Sequence, residues 1–254
     1  LVQLLRMRDY AAGAFARPWH NSPGYVHLLA ELAKRSFADR ADYMGDPDFV
    51  DVPVSGLLDA NYLRARAEQA KLEVISPAAS VVPGLESADT THFSVLDGDG
   101  NAVSLTYTLN LDYGSGVVVA GAGYLLNNEM DDFSAKAGVP NAFGVIGNDR
   151  NAIEPGKRML SSMTPTILLH DGEPALVLGT PGGSTIFTSV FQVILNLYDF
   201  GMPLQQAVDA LRFHHQLPAA DLIRHDQREI PSSTRKGLEK LGYRVEPNSW
   251  GNLG

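Results

Sequence analysis

The chain has 254 residues, of which 44% are hydrophobic and 19% are charged, and its formal net charge is -9 at pH 7. A chain of this length and apolar content can bury a substantial core as one domain. The acidic balance argues against a nucleic-acid partner or an anionic membrane surface, and no apolar run approaches the length of a membrane span. Because the sequence contains no cysteine, disulfides and thiol chemistry are excluded.

The first part of the chain has a helical pattern. Ser22-Pro23 is a helix start signal, and apolar residues at helical spacing follow it until Gly45. Residues 46–57 are predicted to form a loop, and residues 62–72 to form a short helix. Residues 72–89 contain two prolines and a glycine, and this composition predicts a flexible tail.

Thr90 opens a β-patterned run that turns within residues 97–101 and then returns. If these five residues are the loop of a hairpin, Leu96 pairs with Ala102 and Thr90 lies across from Thr108. The sequence therefore predicts that two threonine hydroxyls meet at one end of the hairpin.

Breaking the peptide bond before Thr90 would leave a free α-amine beside the hydroxyl of the same residue. An α-amine has a pKa of about 8 and can accept the hydroxyl proton near neutral pH, so one residue would supply both nucleophile and base. The alternative is that Thr90 and Thr91 are ordinary β-branched strand residues, which is the commoner reading of such a pair.

An acidic cluster follows at residues 127–132, which contain two asparagines and three carboxylates. The cluster lacks a nearby histidine and the spacing of a calcium loop, so a metal is a poor fit. A primary ammonium fits better because Glu129 and Asp132 are three residues apart and can face the same way in a helical turn. A solvated acidic turn is the alternative.

Ser161 and Ser162 form a hydroxyl pair just before a Thr-Pro step that favours extended backbone. The two hydroxyls could donate hydrogen bonds to a carboxylate. Alternatively, they satisfy local backbone groups, as most loop serines do.

A second hairpin is predicted from Pro165 to His170 and from Pro174 to Leu178, and it leads to Gly182-Gly183 at the start of a helix. Glycines there allow backbone N–H groups to approach a ligand oxygen. The segment lacks both the P-loop ending and the dinucleotide-binding glycine pattern, so an oxyanion hole fits better than a phosphate cradle. An ordinary tight turn is the alternative.

Three further helices are predicted at residues 184–199, 203–211 and 232–241. Helices grouped against hairpin-built sheets indicate an α+β fold. His214-His215 suggests a metal or catalytic role, but adjacent side chains on a regular element point apart. A structural or solvent-exposed role is therefore favoured for this pair.

The order and contents of these motifs closely resemble the γ-glutamyltranspeptidase family, whose members are also called glutathione hydrolases. The resemblance covers nearly the whole chain and is carried by residues 90–95, 100–103, 106–110, 126–133, 157–163 and 179–184. It implies the four-layer αββα sandwich of N-terminal-nucleophile hydrolases, with no cofactor and no metal.

The resemblance also implies that the protein is made as a precursor that cuts itself before Thr90. Residues 1–89 would be the C-terminal part of a large subunit, and residues 90–254 a small catalytic subunit without its last strands. The two fragments would stay together as a heterodimer. Thr90 would be the nucleophile for both processing and catalysis, and Thr108 would hydrogen-bond to it.

The expected substrates are glutathione and other γ-glutamyl compounds, with water, amino acids or peptides as acceptors. The family pattern assigns the substrate α-amino group to Asn110, Glu129 and Asp132, its α-carboxylate to Ser161 and Ser162, and the oxyanion to the amides of Gly182 and Gly183. Because a γ-glutamyl group is a zwitterion, holding both charges fixes the distance from its carbonyl to the nucleophile.

Three departures from the family pattern are visible. Many bacterial relatives have glutamine where this chain has Glu129. Residues 137–148 resemble a lid over the pocket, but Phe143 stands where relatives carry a tyrosine, so it can shield the pocket without making the tyrosine's hydrogen bond. Relatives also use an arginine from the large subunit for the α-carboxylate, and residues 1–89 show no match to it.

Two alternative functions remain. One is a related amide acylase, of the cephalosporin acylase or poly-γ-glutamate depolymerase type, and the other is a catalytically silent homologue that is not processed. Glu129, Asp132 and the serine pair favour an amino-acid head group over a glutaryl group. The family implies a periplasmic or secreted location.

Overall fold

The computed structural model describes residues 1–16, 18–76, 90–219 and 221–248. The bond before Thr90 and most of the tail predicted at residues 72–89 lie outside these ranges. In the part of the chain that is described, no helix has both the length and the apolar character needed to cross a membrane.

The α-helices of the described residues are α1 (Val2–Tyr10), α2 (Ala12–Phe15), α3 (Pro23–Tyr43), α4 (Val54–Leu57), α5 (Ala60–Glu68), α6 (Ile186–Tyr198), α7 (Leu204–Asp209) and α8 (Ser232–Leu241). The predicted start of α3 is confirmed, because the Ser22 hydroxyl accepts a 3.3 Å hydrogen bond from the Tyr25 amide. α5 begins earlier than predicted because the Asp59 carboxylate caps it by accepting from two backbone amides.

Helix α3 lies at the centre of the molecule and contributes to two hydrophobic clusters. In the first cluster, Leu28 and Leu32 of α3 are buried together with Phe191 of α6 and with residues of α1 and α5. In the second cluster, Val26 and Ala30 of α3 are buried with side chains from the C-terminal region. Because α3 contributes to both clusters, it connects the cluster that contains α1, α5 and α6 to the cluster that contains the C-terminal region.

The strands form three small sheets and give the described residues an α+β fold. They are β1 (Thr90–Leu96), β2 (Ala102–Thr108), β3 (Thr166–His170), β4 (Glu173–Leu178), β5 (Phe213–His214), β6 (Leu222–His225) and β7 (Arg244–Pro247). β1–β2 and β3–β4 are the two predicted hairpins. In the third sheet, β6 pairs antiparallel with β5 and parallel with β7; it was not predicted, because its strands are too short to show a period.

The two hairpins are held together by hydroxyl groups of the first and carbonyl groups of the second. The Ser94 hydroxyl donates to the Val177 carbonyl at 3.2 Å, and the Ser104 hydroxyl donates to the Leu178 carbonyl at 2.9 Å. At Gly179, a Cβ atom would lie 2.3 Å from the His92 ring, so glycine permits this close approach. The end of β4 is thereby brought beside β1.

Candidate active site

The first hairpin brings Thr90 and Thr108 together in the predicted register. Leu96 pairs with Ala102 and Thr90 pairs with Thr108. The two threonine hydroxyl oxygens lie 3.3 Å apart, within hydrogen-bond distance. Thr90 is thus the first residue of β1, with its hydroxyl beside that of Thr108.

Asn110 lies just beyond the end of β2 and is buried. Its backbone has φ of 78°. Residues other than glycine rarely adopt a positive φ, and asparagine is one of those that do so most readily. This conformation lets its N–H donate to the Thr108 hydroxyl at 2.8 Å and its side-chain amide donate to the Asn128 carbonyl at 3.3 Å. Asn128 therefore ties the end of β2 to the acidic cluster.

The acidic cluster forms a short 3₁₀ helix over Glu129–Asp132. Asp132 faces the cleft that contains Thr90, whereas Glu129 is absent from the lining of that cleft. The two carboxylates lie in one helical turn, but they do not both face the cleft, since only Asp132 lines it.

Burial raises the pKa of Asp132 to about 7. The positive charge of Arg40 acts in the opposite direction, and the neighbouring carboxylates Glu129 and Asp131 raise this pKa further. Burial also raises the pKa of Glu129. A carboxyl group with a pKa near neutrality would gain from a cationic ligand, because an opposite charge favours its ionised form.

The serine pair is positioned by contacts from two distant segments. The Arg158 side chain donates hydrogen bonds to both carboxylate oxygens of Asp46, and these bonds hold the pKa of Asp46 well below its usual range. The Asn151 side chain accepts from the Leu160 amide at 3.2 Å. Together these contacts fix the chain immediately before Ser161 and Ser162.

Gly182 and Gly183 lie between β4 and α6, as predicted. Both have positive φ, at 132° and 54°, which is the region that glycine adopts without strain. Gly182 precedes a 3₁₀ turn over Gly183–Thr185 that continues into α6. The Thr185 hydroxyl donates to the Gly182 carbonyl at 2.7 Å, which stabilises the turn.

Residues 137–148, the predicted lid, form a loop that reaches the cleft at Phe143. Phe143 is buried and lines the cleft. The Ala142 amide donates to the Asp131 carboxylate at 2.8 Å, and the Phe143 carbonyl accepts from the Gln216 side chain at 2.9 Å. The loop is thus attached to the acidic turn on one side and to the region after β5 on the other.

These segments surround a small cleft that is open to solvent. It is lined by Thr90, Thr108, Asn110, Asp132, Phe143, Ser161, Ser162, Met163, Gly183 and Ile186. The cleft therefore brings together most of the residues predicted from the sequence. Gly182 and Glu129 do not line the cleft, although Gly182 directly precedes Gly183, which does.

A larger pocket, open to solvent, lies beyond the serine pair, which lines both spaces. Arg40, at the C-terminal end of α3, lines this second pocket. Arg40 was not predicted from the sequence as a site residue, and neither were Asn141 and Asn151, which contact the acidic turn. The Pro140-Asn141 step is a turn signal that could have drawn attention to Asn141.

The two adjacent histidines are structural, which agrees with the favoured interpretation. Both are buried, and burial lowers the pKa of His214 to about 3 and that of His215 to about 4. His214 hydrogen-bonds to Thr188 and to Gln216, each at 2.8 Å. Within the described residues, no cluster of histidine and carboxylate side chains could hold a metal ion.

Comparison with known proteins agrees with this geometry. Across 255 aligned residues, the chain is 58% identical to the glutathione hydrolase proenzyme of Pseudomonas aeruginosa; the alignment covers 100% of the chain and 46% of that protein. The structure of gamma-glutamyltranspeptidase from Pseudomonas nitroreducens complexed with L-DON matches with a TM-score of 0.63 and 61% identity, covering 65% of this chain and 85% of that one.

Cephalosporin acylase from Bacillus halodurans is also similar, with a TM-score of 0.76 and 25% identity over 96% of this chain and 42% of that one. These solved structures are N-terminal-nucleophile hydrolases, so this chain is similar in fold to members of that class. Residues 1–253 match the gamma-glutamyltranspeptidase family, and the chain belongs to this family. It spans less than half the length of the Pseudomonas aeruginosa relative.

Proposed function

We propose that this chain is part of a self-processing γ-glutamyl hydrolase and transferase that cleaves glutathione and other γ-glutamyl amides. The observation that carries the proposal is the position of Thr90. It is the first residue of β1, its hydroxyl lies 3.3 Å from that of Thr108, and it shares a cleft with Asp132, the serine pair and Gly183.

Processing would break the peptide bond before Thr90 and release its α-amine. This amine takes the proton from the Thr90 hydroxyl as the oxygen attacks the γ-carbonyl of the substrate. The amides of Gly182 and Gly183 stabilise the negative charge on the carbonyl oxygen. The proton then passes to the departing amine, which leaves a γ-glutamyl ester on Thr90.

The ester is resolved by a second nucleophile. Water or the amino group of an amino acid or peptide attacks the ester carbonyl and gives its proton to the α-amine of Thr90. The C–O bond to Thr90 breaks and its hydroxyl is regenerated. Attack by water gives glutamate, and attack by an amine gives a new γ-glutamyl amide.

The polar groups of the cleft suit the head group of this substrate. Ser161 and Ser162 would donate to the α-carboxylate. Asn110 and Asp132 would accept hydrogen bonds from the α-ammonium, with Glu129 adding negative charge next to Asp132. Because each contact pairs a charge with a hydrogen-bonding group, losing one would leave a buried charge without its partner.

We also propose the family's four-layer sandwich and heterodimer, with residues 1–89 in the large subunit and residues 90–254 in the small one. The outer face of the first hairpin supports this proposal. Phe93, Val95 and Tyr107 on that face are about half exposed, at 45%, 49% and 55%, and further chain packed on them would bury this apolar surface. The periplasmic or secreted location is proposed from the family resemblance alone.

A related amide acylase is the second candidate, and the similarity to cephalosporin acylase supports it. A glutaryl group has the same carboxylate as a γ-glutamyl group but lacks its α-amino group. Asp132, with Glu129 and Asp131 beside it, can ionise against a cationic ligand, and only the γ-glutamyl group carries the ammonium that would pair with it. This pairing favours the γ-glutamyl substrate.

The proposal is tested by mass spectrometry and turnover of the full-length protein. We expect two fragments, one beginning at Thr90, and release of aniline from a γ-glutamyl anilide faster than from the glutaryl anilide. Thr90→Ala should abolish both cutting and turnover, whereas Thr91→Ala, on the opposite and exposed face of β1, should preserve both. Cutting that survives Thr90→Ala would contradict self-processing, and a preference for the glutaryl anilide would favour the acylase.

A further inference from the structure

Asn141 contacts two parts of the cleft at once. Its side-chain oxygen accepts from the backbone amides of Phe143 and Val145, each at 3.0 Å. Its side-chain nitrogen donates to Oδ1 of Asp132 at 3.3 Å. One amide group therefore shapes the turn of the lid and touches the carboxylate that faces the cleft.

We propose that Asn141 is a positioning residue that orients the Asp132 carboxylate toward the α-ammonium of a γ-glutamyl substrate. Asn141 holds Oδ1, and among the described residues no other group hydrogen-bonds to Oδ2 of Asp132. Oδ2 is thereby left for the substrate. This inference rests on the proposed function, because it concerns the amine site of the same cleft.

The lid has other attachments that do not involve Asn141. The Ala142 amide donates to Asp131, and the Phe143 carbonyl accepts from Gln216. Phe143 and Val145 are also buried in the first hydrophobic cluster. The lid can therefore keep its position when the Asn141 contact to Asp132 is removed.

The charges around Asp132 determine how strongly it depends on this contact. Arg40 favours the ionised carboxylate, whereas Glu129, Asp131 and burial oppose it. A hydrogen-bond donor favours the ionised form further. Replacing the amide nitrogen of Asn141 with an oxygen removes this donor and places another carboxylate next to Asp132.

Asn141→Asp separates the two functions of the side chain. An aspartate can still accept from the amides of Phe143 and Val145, but it offers no N–H to Asp132. Asn148→Asp is the matched control. The Asn148 side chain also accepts from a backbone amide and donates to a carbonyl, and Asn148 does not line the cleft, so this variant adds the same charge in the same loop.

The experiment measures hydrolysis of a γ-glutamyl anilide and of a glutaryl anilide by the processed full-length enzyme across pH. For Asn141→Asp we expect KM for the γ-glutamyl anilide to rise roughly tenfold, with less than a twofold change for the glutaryl anilide. We expect kcat/KM for the γ-glutamyl anilide to include a rise with pH as Asp132 ionises, and this rise should move to higher pH in Asn141→Asp. Asn148→Asp should behave like the wild type.

Equal losses on both substrates, or an unchanged KM and pH profile for the γ-glutamyl anilide, would overturn the inference. If Asn141→Asp fails to accumulate as processed protein, Asn141→Ser provides the same test, because its short hydroxyl can accept in the turn without an amide donor. A wild-type protein that is neither cut nor active would instead contradict the proposed function, so the two failures are distinguishable.

Discussion

The Asn151 side chain donates a 2.7 Å hydrogen bond to the carbonyl of Asp132, while its oxygen accepts from the Leu160 amide. A single buried asparagine thus links the acidic turn to the chain that leads into the serine pair. These are the two segments proposed to hold opposite charges of the substrate. Their separation is set by this residue.

Asn151→Ala should therefore loosen the substrate site and lower stability. Two partly buried backbone groups lose their partners, which costs about 2 kcal/mol of unfolding free energy. We expect KM for a γ-glutamyl anilide to rise more than kcat falls, because the site holds the substrate less well. Steady-state kinetics and urea unfolding measure the two effects. A stable variant with unchanged KM would show that the two segments keep their spacing without Asn151.

Thr108→Val removes the hydroxyl beside Thr90 and keeps the β-branched shape that suits a strand. Since the Thr108 hydroxyl lies 3.3 Å from that of Thr90, we expect kcat to fall by about 10²-fold, the lower end of what positioned proton-transfer groups contribute. Thr108→Ser retains the hydroxyl and should keep most of the activity. Equal activity of the valine and serine variants would rule out a role for this hydroxyl.

Gly182→Ala should impair the proposed oxyanion site through the backbone. With φ of 132°, alanine at this position is strained and the turn must shift. Loss of one oxyanion donor lowers kcat by about 10²- to 10³-fold, and we expect a fall of this order with a smaller change in KM. Gly13→Ala is the control, because a Cβ atom there meets nothing within 4 Å. Full activity of Gly182→Ala would place the oxyanion site elsewhere.

Asp132→Asn should stabilise the free protein at high pH while weakening substrate binding. The folded-state pKa of Asp132 is raised from 3.8 to about 7, so its contribution to stability is complete below about pH 4 and is lost as pH rises through about 7. Allowing for the partial exposure of this carboxyl, we expect the variant to gain about 2 kcal/mol at pH 8 and nothing at pH 4.

Urea unfolding at both pH values measures this difference, in a Thr90→Ala background that keeps the chain uncut. In the processed enzyme, the same Asp132→Asn change should raise KM for the γ-glutamyl anilide. A variant that is less stable than its parent at pH 8 would show that burial of the ionised Asp132 carboxylate does not destabilise the free protein.

Gln216→Leu should release one side of the lid. The substitution leaves the Phe143 carbonyl without the donor that now lies at 2.9 Å and also removes a partner of His214. We expect faster proteolytic cutting within residues 137–148 and a higher KM, with stability reduced by about 1 to 2 kcal/mol. Gln205→Leu, an exposed glutamine on α7, is the control. Unchanged proteolysis would mean that the buried Phe143 side chain holds the lid without Gln216.

The hairpins were predictable because their information is local. The β pattern of the two strands and the five-residue turn between them determine which residues pair. The Thr90–Thr108 register therefore follows from residues 90–108 alone. The serine pair, Asp132 and the glycines stood out as candidate ligand-binding groups from local residue patterns, and the resemblance to a known family gave each of them a role. The α8 helix was predicted with its correct ends, since Gly242 in the left-handed conformation terminates it.

The parts that were missed depend on contacts between distant segments. Strand β6 pairs with β7 across a helix, and the two-residue β5 has no period of its own. Asn151 and Asn141 are ordinary loop residues in the sequence, and their importance arises only when the chain brings Asp132 within reach. The position of Glu129 outside the cleft likewise depends on how the 3₁₀ turn is oriented.

Helix α3 precedes Thr90 in the chain, yet residues that follow Thr90 help to bury it: the second cluster covers α3 largely with such residues, and the first covers it with residues from both before and after Thr90. Val26 and Ala30 are buried against Phe213 and Ile223, and Leu28 shares its cluster with Phe191. A backbone cut before Thr90 would therefore divide one interior between two polypeptides, and the surface between them would have the character of a domain core. Neither fragment would have an interior of its own that lets it fold alone, so we expect the two fragments to stay associated after the cut. Cleavage would then change the number of polypeptides but not the assembled structure.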